Sequence, residues 1–196
     1  MKKIIFAAAA LFAFGFANAQ DKKESEGGKG FANGDVFISG SFGISSSKEG
    51  DLKTNGFEIM PRVGFFVSEN IAIGGQIGYE STKVDNGVDD ATTNALTIGA
   101  FGRYYMTPAS DFSLFGQLGV NYRTAEDEAE IKTNGFEVAL APGVSYFLSD
   151  NWAIEASIGV LGFSSEKEDV DGAENRTTFG LGLDMEDINF GIIYKF

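Results

Sequence analysis

The chain has no cysteine, no histidine and only three prolines, and no apolar run in it is long enough for a membrane-spanning helix. Without cysteine there are no disulfides, no zinc thiolates and no thiol nucleophile. Without histidine the usual general base at neutral pH and the commonest metal ligand are both missing. Basic residues are scarce too, 15 against 28 acids, and a net charge of −13 disfavours nucleic acid, whose phosphates need basic partners. What is plentiful is glycine, with 26 residues, and phenylalanine, with 19. With so little proline, that is the composition of a β-rich, aromatic chain.

The N-terminus reads as an export signal. Lys2 and Lys3 precede an apolar run from Ile4 to Ala17, and Ala17-Asn18-Ala19 is an A-x-A cleavage site. The run is too short to span a bilayer as a helix. Residues 1–19 are therefore expected to be removed after Ala19, and the lack of cysteine at the site argues against a lipoprotein. Residues 20–33 (QDKKESEGGKGFAN) are polar and glycine-rich, which predicts a flexible lead-in to a single domain over 34–196.

That domain alternates with a period of two almost throughout, the signature of strands with one apolar face. The expected strands are 35–46, 56–67, 71–83, 93–106, 112–124, 134–148, 152–164 and 177–196. Three short turns, at 68–70, 107–111 and 149–151, alternate with four longer connections at 47–55, 84–92, 125–133 and 165–176, read as acidic loops. In the last strand Phe179, Leu181, Leu183 and Met185 are odd-numbered, whereas Ile188, Phe190, Ile192, Tyr194 and Phe196 are even. A one-residue slip would turn the face inside out, so a β-bulge near Met185-Glu186-Asp187 is expected. Lys53-Thr-Asn-Gly-Phe-Glu58 recurs identically at 132–137, and VSENIAI at 67–73 matches LSDNWAI at 148–154. Two related halves and convergence on one hairpin grammar both account for the repeat.

Alternation alone does not say whether the apolar face points in or out. The other face carries glycine, serine and the polar or charged Glu58, Arg62, Gln76, Glu80, Arg103, Gln117, Arg123, Glu137, Glu155 and Lys195, with a glycine frequency odd for a soluble surface. The apolar face carries two aromatic belts. Phe65, Tyr104, Phe112, Tyr146, Trp152, Tyr194 and Phe196 mark the short-turn ends of the strands, and Phe57, Tyr79, Tyr122 and Phe136 the long-loop ends. From Phe112 to Tyr122 is about 25 Å along a tilted strand at ~3.3 Å per residue, the height of a membrane barrel's apolar band. The expected fold is all-β: an eight-stranded antiparallel up-and-down transmembrane β-barrel, with its apolar face outward.

On the signal peptide, the belts, PRVGFFVSENIAIG at 61–74, FGRYY at 101–105 and the terminal FGIIYKF, the chain resembles the small eight-stranded outer-membrane proteins, the OmpX/OmpW-like and OmpA-transmembrane-domain-like group. The resemblance implies a Gram-negative outer membrane, lipid around the barrel, both termini in the periplasm, and four loops outside. It also implies that the barrel-insertion machinery reads the terminal strand through Tyr194 and Phe196. The enzymes of this fold rely on histidine, so no enzymatic activity and no cofactor are expected. An interior of this size is just wide enough to be filled by side chains. Glu58, Arg62, Arg103, Glu137 and Glu155 are accordingly expected to form a mutually paired lumen network. Asp169 and Asp171 are weak candidates for a divalent cation. The favoured role is a monomeric structural or surface-interaction protein working through acidic loops. The alternatives are a narrow pore for ions or small solutes and a soluble secreted barrel binding an apolar ligand.

Overall fold

The structure, a computed structural model, describes residues 28–182 and 188–196. Among the described residues ten strand segments run in chain order: β1 (Val36–Glu49), β2 (Leu52–Phe66), β3 (Ile71–Asp85), β4 (Asp90–Tyr105), β5 (Phe112–Glu126), β6 (Lys132–Phe147), β7 (Trp152–Ile158), β8 (Leu161–Glu168), β9 (Arg176–Leu181) and β10 (Ile188–Lys195). They make eight barrel strands, because β8 continues β7 and β10 continues β9. Every pairing is antiparallel. The ring closes at the short-turn end through β1 and β10, in register from Phe37↔Lys195 to Ser41↔Gly191. Towards the other end, among the described residues, Phe42–Glu49 pairs only with β2 and β9 only with β8.

The faces fall as the alternation predicts. Phe57, Phe65, Tyr79, Tyr104, Phe112, Tyr122, Phe136, Tyr146 and Trp152 are all exposed on the outside. Belt residues meet in register, as Phe112↔Tyr146 and Tyr122↔Phe136 do, and Trp152 packs edge-on against Tyr194 at 4.9 Å.

The connections differ from expectation. The strands run 14 to 16 residues from β1 to β6, longer than the 9–11 that a tilted membrane crossing needs. Only Gly50-Asp51, 86–89, 127–131 and 169–175 are left as turns and loops at the long-loop end. The serines and threonines at 45–47, 81–82 and 92–93 suit a pleated surface, so the ladder continues past the apolar band as solvated hairpins.

A bulge that the periodicity did not suggest sits at Gly159–Val160. Gly143 pairs with Ser157 but Leu140 with Leu161, so one residue is extra in the seventh barrel strand. It moves the outward set from Trp152 and Ile154 to Leu161 and Phe163. The break expected at Met185-Glu186-Asp187 lies outside the described residues; on its flanks Phe179 and Leu181 face outward, as do Phe190 and Ile192.

The sequence repeat has a structural counterpart. In one short turn Ser68 Oγ accepts from the Ile71 amide at 3.1 Å, and Asn70 Nδ2 donates to the Tyr105 carbonyl at 2.7 Å. In the matching turn Ser149 Oγ accepts from the Trp152 amide at 3.2 Å, and Asn151 Nδ2 donates to the Lys195 carbonyl at 2.9 Å. The Ser-x-Asn turn thus caps its own hairpin and staples the end of a neighbouring strand.

Candidate functional site

The lumen is layered. At the short-turn end it is stopped by rings. Phe37, Phe66, Tyr105, Phe115 and Phe147 point inward and are buried. Inward glycines make the room: a Cβ on Gly64 would collide with Phe37, one on Gly74 with Phe101, and one on Gly143 with Phe115. The rings are completed by Phe31, which stacks on Phe66 at 4.6 Å and meets Phe147 edge-on at 4.8 Å. Residues 28–33 are therefore not the free lead-in expected over 20–33. The Phe31 amide donates to the Pro108 carbonyl at 2.7 Å, and Lys195 Nζ donates to the Gly28 and Gly30 carbonyls at 2.9 and 2.6 Å. Gly30 adopts φ +99°, and any Cβ there would strike the Pro108–Ala109 backbone, so the close approach requires glycine.

Above the rings lies an ion-pair layer. Arg103 Nη1 donates to Glu155 Oε2 at 2.6 Å and Arg62 Nη1 approaches Glu155 Oε1 at 3.6 Å. All three side chains are almost fully buried. Arg62 Nε donates to Gln76 Oε1 at 3.0 Å, and Arg103 Nε to Gln117 Oε1 at 2.6 Å. Gln76 Nε2 passes the chain on to Asn121 Oδ1 at 2.6 Å. Arg103 also donates to Tyr105 Oη at 3.1 Å and stands 4.5 Å from the centre of the Phe115 ring. One carboxylate thus serves two guanidiniums, whose other donors go to neutral oxygens, the Met60 sulfur and ring faces, as buried charge requires.

Beyond this layer the interior is not filled. A cavity of about 940 Å³ opens towards the long-loop end. The inward residues there, among them Gly78, Thr97, Ala139, Ala141, Gly162 and Gly180, are too small to close it. Its charged lining comprises Glu58, Glu80, Glu137 and Glu166 with Arg62 and Arg123. Arg123 pairs with Glu80 at 3.2 Å.

This architecture coincides with a sequence match. The family described as outer membrane protein beta-barrel domain matches residues 6–196. The chain belongs to the outer-membrane β-barrel family. Among curated proteins none matches it. Of solved structures, OprG from Pseudomonas aeruginosa is similar at 17% identity, over 85% of this chain and 98% of that one, with a TM-score of 0.54. Ail of Yersinia pestis (17% identity, 84% and 99%, TM-score 0.45) and Neisserial surface protein A (16%, 83% and 96%, 0.44) are also similar.

For an outer-membrane barrel the exposed aromatic belts are the lipid face, and a soluble barrel with its apolar side inward is set aside. Of the five charges expected to form one network, the structure brings together Arg62, Arg103 and Glu155. Glu58 and Glu137 stand apart in the cavity and make no ion pair among the described residues. Gln76, Glu80, Gln117 and Arg123 face inward as the alternation places them; the Arg123–Glu80 pairing, the hydrogen bonds of Gln76, Gln117 and Asn121 and the inward rings were not foreseen. The rings did leave a signal: apolar doublets such as Phe65-Phe66, Tyr104-Tyr105, Leu114-Phe115 and Tyr146-Phe147 recur at the short-turn ends, where strict alternation would place a polar residue second.

Asp169 and Asp171 stand exposed on the last loop, and no cluster among the described residues gathers three ligands for a metal ion. Nor are all four loops acidic. Lys48 and Lys53 balance Glu49 and Asp51 in the first, so the acidic surplus sits in the other three. Two of these touch, the Thr92 amide donating to Glu128 Oε1 at 2.9 Å, and Lys83 pairs with Asp90 across the second hairpin. Tyr194 and Phe196 lie at the barrel seam, with the Phe196 amide donating to the Val36 carbonyl at 3.0 Å.

Proposed function

We propose that this protein is a non-enzymatic surface protein of the outer membrane: a rigid monomeric barrel that holds three acidic hairpin loops outside the cell, with both termini in the periplasm. The observation that carries this reading is the blocked lumen. The Phe31-centred rings and the Arg62–Glu155–Arg103 layer fill the cross-section at the short-turn end, leaving the loops as the working surface. The sequence offers no histidine or cysteine for catalysis. Tyr194 and Phe196 serve as the insertion signal, and residues 1–19 are removed after Ala19. The test is conductance in planar bilayers, where the purified barrel is expected to give no steady current. A steady, ion-selective current would overturn the reading in favour of a narrow pore, whose entrance the 940 Å³ cavity would then be.

A further inference from the structure

The cavity is an incomplete binding site. Of its carboxylates, Glu80 is matched by Arg123, while Arg62 is already committed to Glu155. Glu58 and Glu137 hold no cation within ion-pair distance among the described residues. They occupy equivalent places in the sequence repeat, on β2 and β6, and both line the cavity. Arg62 and Arg123 act on them only from beyond ion-pair distance and are each paired elsewhere, so four carboxylates share a lining with two committed guanidiniums, a surplus of negative charge that favours a cationic ligand.

A second observation is independent of charge. Asn121, on the cavity floor, is only 8% exposed; its Oδ1 is taken by Gln76, which leaves its Nδ2 facing the cavity with no partner among the described residues. An amide donor that opens onto the cavity is matched by an acceptor oxygen on whatever enters. Third, Met60, Ala139, Ala141 and Val160 give part of the lining an apolar surface suited to a hydrocarbon segment.

We infer that the cavity binds a short basic peptide segment, with lysine-type ammonium groups on Glu58 and Glu137, a peptide carbonyl on Asn121 Nδ2 and side-chain methylenes on the apolar lining. A polyamine supplies the charge and the methylenes but no acceptor oxygen. An amino sugar supplies charge and oxygens but little apolar body. A basic peptide supplies all three. This site is separate from the loop surface and stands whether or not the loops have a partner.

The test is calorimetric titration of the full-length barrel, in lipid nanodiscs at fixed ionic strength, with N-acetyl-Lys-Leu-Lys-amide and, in parallel, spermidine. The peptide is expected to bind saturably, one per barrel, and more tightly than spermidine. Glu58→Gln with Glu137→Gln should weaken it by at least about tenfold, the value of a charge-assisted hydrogen bond. Ala139→Phe, which fills the cavity without altering charge, should weaken it as well. Asp169→Asn with Asp171→Asn, on the loop, should leave it unchanged. Each variant is checked for its heat-dependent gel mobility, and if the double variant fails to fold, the single Glu58→Gln and Glu137→Gln variants are read in its place. Binding that survives both lumen changes, that follows the loop change instead, or that spermidine matches would overturn the inference.

Discussion

Replacing Glu155 with glutamine would leave two guanidiniums facing each other with no anion between them. Glu155 accepts from Arg103 at 2.6 and 3.3 Å and lies 3.6 Å from Arg62, and the three side chains are 5%, 2% and 9% exposed. Breaking a buried ion pair by removing one partner costs about 3–5 kcal/mol, chiefly because the survivor stays buried and uncompensated. Here Gln76, Gln117 and the Phe115 ring remain on the guanidiniums, which places the loss near the low end, about 3 kcal/mol. The assay is reversible urea unfolding in lipid vesicles, followed by the emission of Trp152, the only tryptophan, which moves from lipid to water as the barrel opens. A companion variant, Arg62→Met with Arg103→Met and Glu155→Leu, removes every charge of the layer and should recover most of the loss. A Glu155→Gln barrel within about 1 kcal/mol of the parent would refute the shared-carboxylate reasoning.

The glycine–ring fit predicts that Gly64→Val, aimed at Phe37, destabilises the barrel by about 1–3 kcal/mol in the same urea assay, whereas Gly102→Val, where no neighbour lies within 4 Å, does not. Phe31→Ala should release the lead-in while leaving the barrel closed. Trypsin would then cut after Lys29 in the variant and spare that bond in the parent, and equal cutting in both would show that Phe31 does not anchor the segment. The two Ser-x-Asn turns predict similar costs for Asn70→Ala and Asn151→Ala, each about 1 kcal/mol for one lost hydrogen bond, readable by urea midpoint; a loss confined to one of them would deny their equivalence.

Much of the barrel was legible in the sequence because a membrane barrel writes its faces at a fixed period. Ile188 to Phe196 show their even positions to lipid, and the belts from Phe57 to Trp152 all fell on the face that parity assigned. What parity could not show was depth. Nothing in the alternation distinguishes an inward arginine that meets Glu155 from an inward glutamate that meets open space, since both occupy equivalent face positions on their strands. The partition comes from cross-barrel geometry, where Arg62, Arg103 and Glu155, far apart in sequence, reach one level while Glu58 and Glu137 sit higher. The bulge at Gly159–Val160 was hidden by Ala156 and Val160, which let either parity read as apolar. Phe31 was missed because its neighbours Gly27 to Gly30 and Asn33 read as a linker, and its burial depends on a mouth that only the closed ring creates.

The most direct test of the closed, lipid-facing barrel is heat-modifiability. Protein extracted from the outer-membrane fraction is run on a detergent gel with and without boiling. A closed ladder held by eight strands resists detergent at room temperature, so the unboiled sample is expected to migrate apart from the boiled one. Identical migration, with the protein recovered from the soluble periplasmic fraction, would contradict the barrel's closure and the outward placement of its aromatic belts.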